Sequence, residues 1–90
     1  MYIIFKSLLY KMKIKIQLFG LLGRKLPEFG SPDGVEIELP DEATAADLLK
    51  YMKIPEAWGV AVAMDSRLLK YDEQIREGAE IRIFQTVHGG

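Results

Sequence analysis

The chain closes on Gly89-Gly90, just after an alternating apolar segment and its single histidine, His88. Glycine lacks a Cβ, so a terminal pair takes extended or left-handed backbone and can enter a narrow channel without steric conflict. The same bareness leaves the Gly90 α-carboxylate unshielded, and it is the one unusual reactive handle on the chain. Glycine is ~7% of average sequence, so two at the end arise by chance in roughly 0.5% of chains. Taken alone, the pair is as well read as an incidental tail; its place directly after a strand favours function. A carboxylate is a poor acyl donor, because it is anionic and oxide does not leave. Conversion to an acyl-adenylate supplies AMP as a leaving group, and a sulfur nucleophile can then displace AMP to leave a thiocarboxylate. The chain carries neither a GxxxxGK[ST] phosphate loop nor a GxGxxG fingerprint. Gly90 is therefore read as a substrate: ATP and Mg²⁺ belong to an activating partner, and no bound cofactor is expected here.

Composition narrows the alternatives. With no cysteine, disulfides, thiolate nucleophiles, iron–sulfur clusters and Cys-ligated zinc are out, and a reducing compartment fits. One histidine cannot build a His-based metal site, so no metal is expected. A formal net charge of −1 argues against a phosphate-driven nucleic-acid binder. Ninety residues allow one small domain. The apolar stretch 1–11 is broken by Lys6 and Lys11 and is shorter than the about 20 residues of a membrane span. No basic region precedes it and no small-residue cleavage site follows, so neither a membrane anchor nor a signal peptide is expected. Residues 1–11 are read as an extension, with an extra strand or docked segment as the alternative, and 12–90 as the domain.

The elements that must hold the tail follow from periodicity. Lys13–Phe19 alternates with period two, placing Ile14, Ile16 and Leu18 on one face of a strand. Residues 20–34 are punctuated by Gly and Pro, with a short helical turn near Leu21–Leu26. Val35–Leu39 alternates again and is predicted antiparallel to the first strand. Thr44 is the expected cap of a helix in which Ala45, Leu48, Leu49 and Met52 share one face, Asp47 sits in the first turn, and Pro55 enforces a stop. Val60–Met64 is a third strand, 65–67 a turn, Leu68–Leu69 a short fourth strand, 71–78 a polar connection, and Glu80–Val87 the last strand. This order implies an α+β domain: a mixed four- to five-stranded sheet with one main helix on one face. It is the layout of the ubiquitin-like β-grasp, with the first and last strands side by side at the centre.

Over Met12–Gly90 the sequence resembles the ThiS/MoaD family of sulfur carriers. The matching pieces are Lys13–Phe19, Thr44–Leu49, Val60–Asp65 with its tight turn, Glu77–Ile81, and the ending Ile83–Gly90. The resemblance implies adenylation of Gly90 by a ThiF/MoeB-like enzyme and conversion to a thiocarboxylate, in the cytoplasm. The sulfur would go to molybdopterin with a MoaE-like large subunit, or to the thiamin thiazole with thiazole synthase. The 20–34 segment favours the molybdopterin branch, where the chain would be the small subunit of a two-subunit synthase and not an enzyme alone. The proline-free ending Phe84–Val87 is closer to the thiamin type, and Asp65-Ser66-Arg67 departs from the usual Asn-Gly turn. A modifier joined through Gly90 to lysines, and a β-grasp interaction module with an incidental tail, are the alternatives.

Gly89 and His88 are assigned to threading the tail, His88 being solvated with nothing nearby in sequence to orient an imidazole. Alternation on the last strand puts Arg82 and Phe84 on the face away from the helix. An exposed Phe84 beside Ala61, Ala63 and Phe19, with Arg82 at the rim, is the expected docking patch. Cover of that face by residues 1–11 is the alternative. Trp58 is read as a loop-to-core anchor, and Lys13, Lys15, Arg24 and Lys25 as a basic area or simply solvated charges.

Overall fold

In the computed structural model, residues 11–85 are described. Five strands form one mixed sheet: β1 (Lys11–Leu18), β2 (Val35–Pro40), β3 (Val60–Met64), β4 (Arg67–Leu68) and β5 (Glu80–Gln85). Their order is β2-β1-β5-β3-β4. β1 and β5 are parallel neighbours at the centre, as expected, and every other pairing is antiparallel. β1 begins at Lys11, which pairs with Pro40.

Alternation sets the two faces. Met12, Ile14 and Ile16 of β1, Ile37 and Leu39 of β2, Ile81 and Ile83 of β5, and Val60 and Val62 of β3 are buried on the inner face. The register aligns them in rows, Ile14 opposite Ile37, Ile16 beside Ile81, and Ile83 between Leu18 and Val62. Leu18, expected in the core, is partly buried and packs against it.

Helix α2 (Ala45–Tyr51) supplies the second layer, preceded by a four-residue helix, α1 (Leu22–Lys25). Ala45, Leu48, Leu49 and Met52 are all buried in the same cluster as the strand residues. Thr44 caps the helix reciprocally: the Asp47 N–H donates to Thr44 Oγ1 at 3.2 Å and the Thr44 N–H to Asp47 Oδ2 at 2.9 Å. Such a cap is worth about 1 kcal/mol. The next two amides, of Ala45 and Ala46, donate to the carbonyls of Glu73 and Tyr71. The 71–78 connection therefore closes the helix N-terminus, and it buries Ile75, which its polar composition did not foretell. At the other end, Lys53 takes the left-handed conformation (φ 60°). The Lys53 and Ile54 amides bond back to Lys50 and Leu49, a Schellman closure built on lysine rather than glycine.

Two sequence expectations move. The fourth strand is Arg67–Leu68 rather than Leu68–Leu69. Asp65 adopts φ 58°, so the turn needs only Asp65 and Ser66 and brings Arg67 opposite Met64. Leu69 then leaves the strand and is buried, its N–H donating to Val62 O at 2.8 Å. The segment after β1 tightens as anticipated into α1, followed by a 3-10 turn at Pro27–Phe29. There Gly23 and Gly30 pass so closely that a Cβ on Gly30 would lie 2.7 Å from the Gly23 carbonyl oxygen.

Candidate functional site

β5 is described as far as Gln85, its last pair with β1 being Leu18–Ile83. After β1 the chain turns at Gly20 (φ 66°). Among the described residues, the last pair between β5 and β3 is Gln85 opposite Val60, the first residue of β3. Five residues separate this point from the carboxylate; Gly90, Gly89 and His88 lie outside the described residues.

At this level the outer face of the sheet carries the expected docking residues. Ala61 is directly opposite Phe84, and Ala63 opposite Arg82. The Phe19 N–H donates to Ile83 O at 3.0 Å, which continues the β1–β5 register and brings Phe19 level with Phe84. Phe19, Phe84 and Ala61 thus form one row across three strands. No described helix lies over this face, since the buried residues of α2 join the inner cluster. Phe84 is half-buried, not fully exposed as expected, because β5 is central and flanked on both sides. Phe19 is 40% exposed. Leu68, which the sequence reading did not include, pairs with Ala63 and is 61% exposed, extending the apolar surface to the sheet edge.

Charge borders this row rather than filling it. Arg82 Nη1 donates to the Asp65 carbonyl at 3.1 Å, so the guanidinium is tied to the β3–β4 turn. The Asp65 carboxylate pairs with Arg76, and this hydrogen bond, ahead of the backbone amide of Glu80, holds its pKa below the ordinary carboxylate value. Glu73 is likewise lowered, first by the Lys70 N–H at 2.8 Å and then by Arg67. Lys13 and Lys15 do not join Arg24 and Lys25 in one basic area. They stand opposite Glu38 and Glu36 in a ladder of opposite charges, and Lys15 also faces Glu80 on β5. Lys25 instead sits with its ammonium 4.7 Å from the centroid of the Trp58 ring. Trp58 is half-buried and packs on the core, the anchoring role expected of it.

A cleft of about 60 Å³ on the same face is lined by Lys15, Gln17, Asp33, Glu80, Ile81 and Arg82. That is the volume of on the order of two waters, too small for a nucleotide. Among the described residues, no group of three or more His, Asp or Glu is placed to hold a metal ion, and no helix is long and apolar enough to cross a membrane. Chemically, the site offers an apolar row of side chains near the end of β5.

Comparison with known proteins bears on the family and the fold. The model of the ThiS family matches residues 16–90. No protein of curated function matches the sequence. Among solved structures, a Pyrococcus furiosus protein provisionally assigned as molybdopterin converting factor, subunit 1, is 27% identical with a TM-score of 0.66, over 84% of this chain and 99% of that one. Haloferax volcanii small archaeal modifier protein 1 shares the fold at 18% identity and a TM-score of 0.63, covering 84% of this chain and 99% of its own. The ubiquitin of Caldiarchaeum subterraneum does so at 21% identity and 0.57, covering 90% of this chain and all of that one.

Proposed function

The chain belongs to the ThiS family, and from that membership we propose that it is a sulfur carrier of the cytoplasm whose Gly90 carboxylate is the working group. The supporting observation is one of placement: the row Phe19–Phe84–Ala61, with no described helix over it, lies near the end of the central strand β5, and Gly-Gly follows Gln85 after three residues in sequence. A ThiF/MoeB-like partner docks on the row and takes the tail into its own ATP and Mg²⁺ site. A carboxylate oxygen of Gly90 attacks the α-phosphorus of ATP, the bond to the bridging oxygen breaks, and pyrophosphate leaves. Sulfide then attacks the acyl carbon and AMP departs, so one carboxylate oxygen leaves with AMP and sulfur remains on the chain. Residues of this chain provide docking, reach and an unhindered carbonyl; the charge stabilisation belongs to the partner.

The branch we favour is molybdopterin synthesis with a MoaE-like large subunit, supported by the Pyrococcus furiosus likeness. The family model itself, ThiS, favours the second reading, delivery to a thiazole synthase. Incubating the full chain with the ThiF/MoeB-type enzyme of the same genome, ATP, Mg²⁺ and sulfide tests the carrier. The expected product is heavier by the difference between sulfur and oxygen. An unchanged mass with active enzyme overturns the proposal, and Gly90-linked adducts on lysines in place of the thiocarboxylate point to a modifier instead.

A further inference from the structure

We propose that the open edge of β2 is a docking site for an extended basic segment of a partner protein, which adds to the sheet as a further strand. β2 is the edge strand of the order β2-β1-β5-β3-β4, so among the described residues it has a neighbour on one side only. The hydrogen bonds of β1 show which of its groups are free. The Lys15 N–H donates to Ala79 O at 3.0 Å, the Phe19 N–H donates to Ile83 O at 3.0 Å, and Lys13 O accepts from the Gly78 N–H at 2.8 Å. Alternate residues of β1, from Lys13 onward, thus turn their backbone groups toward β5. Met12, Ile14 and Ile16 turn theirs the other way, toward Leu39, Ile37 and Val35 of β2. That leaves the N–H and C=O groups of Glu36 and Glu38 pointing off the sheet, and no described residue bonds to them. Pro40, which has no N–H to give, belongs to the same outward-turned set, a position at which an edge strand tolerates proline.

The side chains around this edge select the partner. Glu36 and Glu38 are exposed on the outer face, and Asp41, Glu42 and Asp47 are exposed past the end of the strand. Among the described residues none of these carboxylates is in an ion pair. An open groove of about 630 Å³ runs between the end of β2 and α2, with Leu39, Ala43 and Tyr51 along it and Lys50 as its cation. A second copy of β2 does not fit. Antiparallel pairing of two such edges through their free groups sets glutamate against glutamate, and like charges directly opposite destabilise. β1 shows the pattern that does fit: Lys13 and Lys15 stand opposite Glu38 and Glu36, with Ile14 buried between them. A partner segment of the same kind, Lys or Arg alternating with apolar residues, covers the second side of each glutamate. It satisfies the free N–H and C=O groups and lays an apolar side chain into the groove beside Leu39. The groove is level with Lys11, at the opposite end of β1 from Phe19, so this site and the Phe19–Phe84–Ala61 row can be filled together.

The probe is an acetylated, amidated peptide of alternating lysine and valine, added to the full chain. NMR chemical shifts give its Kd, and amide hydrogen exchange is read residue by residue. With peptide at about ten times its Kd only the free fraction exchanges, so the Glu36 and Glu38 amides are expected to slow about tenfold. Those of Arg67 and Leu68, at the other edge of the sheet, should not change. The double variant Glu36→Gln, Glu38→Gln, its fold checked by thermal unfolding, is expected to raise Kd about fivefold, the worth of two opposite-charge cross-strand pairs. A peptide N-methylated on the backbone nitrogens of its lysines keeps the charge but cannot donate to the edge, and it should protect neither amide. Unslowed Glu36 and Glu38 amides, an unchanged Kd in the double variant, or equal protection by the N-methylated peptide or by one with glutamate in place of lysine overturns the inference. So does a free chain in which these two amides are already protected: protection that rises with concentration assigns the edge to a second copy, and protection independent of concentration assigns it to a segment of the chain itself.

Discussion

If Gly90 is the working group, the number of residues between β5 and the carboxylate becomes a measurable quantity. Five residues extend at most about 17 Å, and this would bound how far the adenylation centre of the proposed partner lies from Gln85. Deleting Gly89 leaves a chain that still ends in glycine but withdraws the carboxylate by roughly 3.5 Å. A misplacement of about 1 Å already costs on the order of 100-fold in a positioned reaction, so the shortened chain is expected to lose at least that much pyrophosphate exchange. Inserting one glycine between His88 and Gly89 acts differently. An over-long tail can bow, and the local concentration of its end falls only as about the −3/2 power of length, which for six residues in place of five is less than twofold. Both variants leave the described fold untouched, so circular dichroism and thermal unfolding should match the parent. The signature is therefore asymmetry: severe loss on shortening, mild loss on lengthening. Equal losses, or a deletion that is tolerated, would refute a tail of set length reaching into a fixed centre.

Other expectations concern the surface and the frame. Ala61→Asp places a carboxylate beside Phe84 in the middle of the open row; thermal stability should barely change, while KM for the chain in pyrophosphate exchange rises at least tenfold, and an unchanged KM removes this face from docking. Lys53→Gly should stabilise the protein, since a left-handed residue other than glycine costs about 1–2 kcal/mol and the extra freedom of glycine when unfolded takes back about 0.5–1. A net gain of about 0.5–1 kcal/mol raises Tm by roughly 2–8 °C in a domain of this size, and a lower Tm contradicts the Schellman assignment. Asp65 and Glu73 have folded pKa values below their unfolded ones, so their contribution to stability is present above the ordinary carboxylate range. It is lost as pH falls through the lowered values; Asp65→Asn should flatten the acid limb of a stability–pH curve, and an unaltered limb would show that the Arg76 pairing contributes nothing.

The parts of the fold legible in the sequence were those with a period. Alternation gave the inner faces of β1, β2, β3 and β5, and the spacing of Ala45, Leu48, Leu49 and Met52, with Thr44 ahead of Asp47, gave α2 and its cap. A two-residue strand has no period, so the β4 boundary rested on a guess about turn length that the conformation of Asp65 decides. Ile75 sits in a polar run, buried by a bond from its amide to Ala43 that no local pattern announces. That Phe19, Phe84 and Ala61 share one face is legible from alternation, whereas the extension of that surface to Leu68 depends on the β3–β4 register. Lys25 and Trp58 are 33 residues apart, and the bond from Gln85 to Trp58 spans 27; only the closed sheet brings them together. The central β1–β5 pairing came from recognising the whole layout, since nothing within either strand specifies its neighbour.

That central pairing carries a consequence for biosynthesis. β1 and β5 lie at opposite ends of the described chain, and their parallel registry is the seam that joins the β1–β2 hairpin to β3 and β4. A nascent polypeptide emerging from the ribosome cannot zip this seam until its final strand is clear of the exit tunnel, and such distant contacts form slowly. A chain cut short before β5 therefore lacks the strand that joins the two halves, and the sheet closes only once synthesis has passed Gln85.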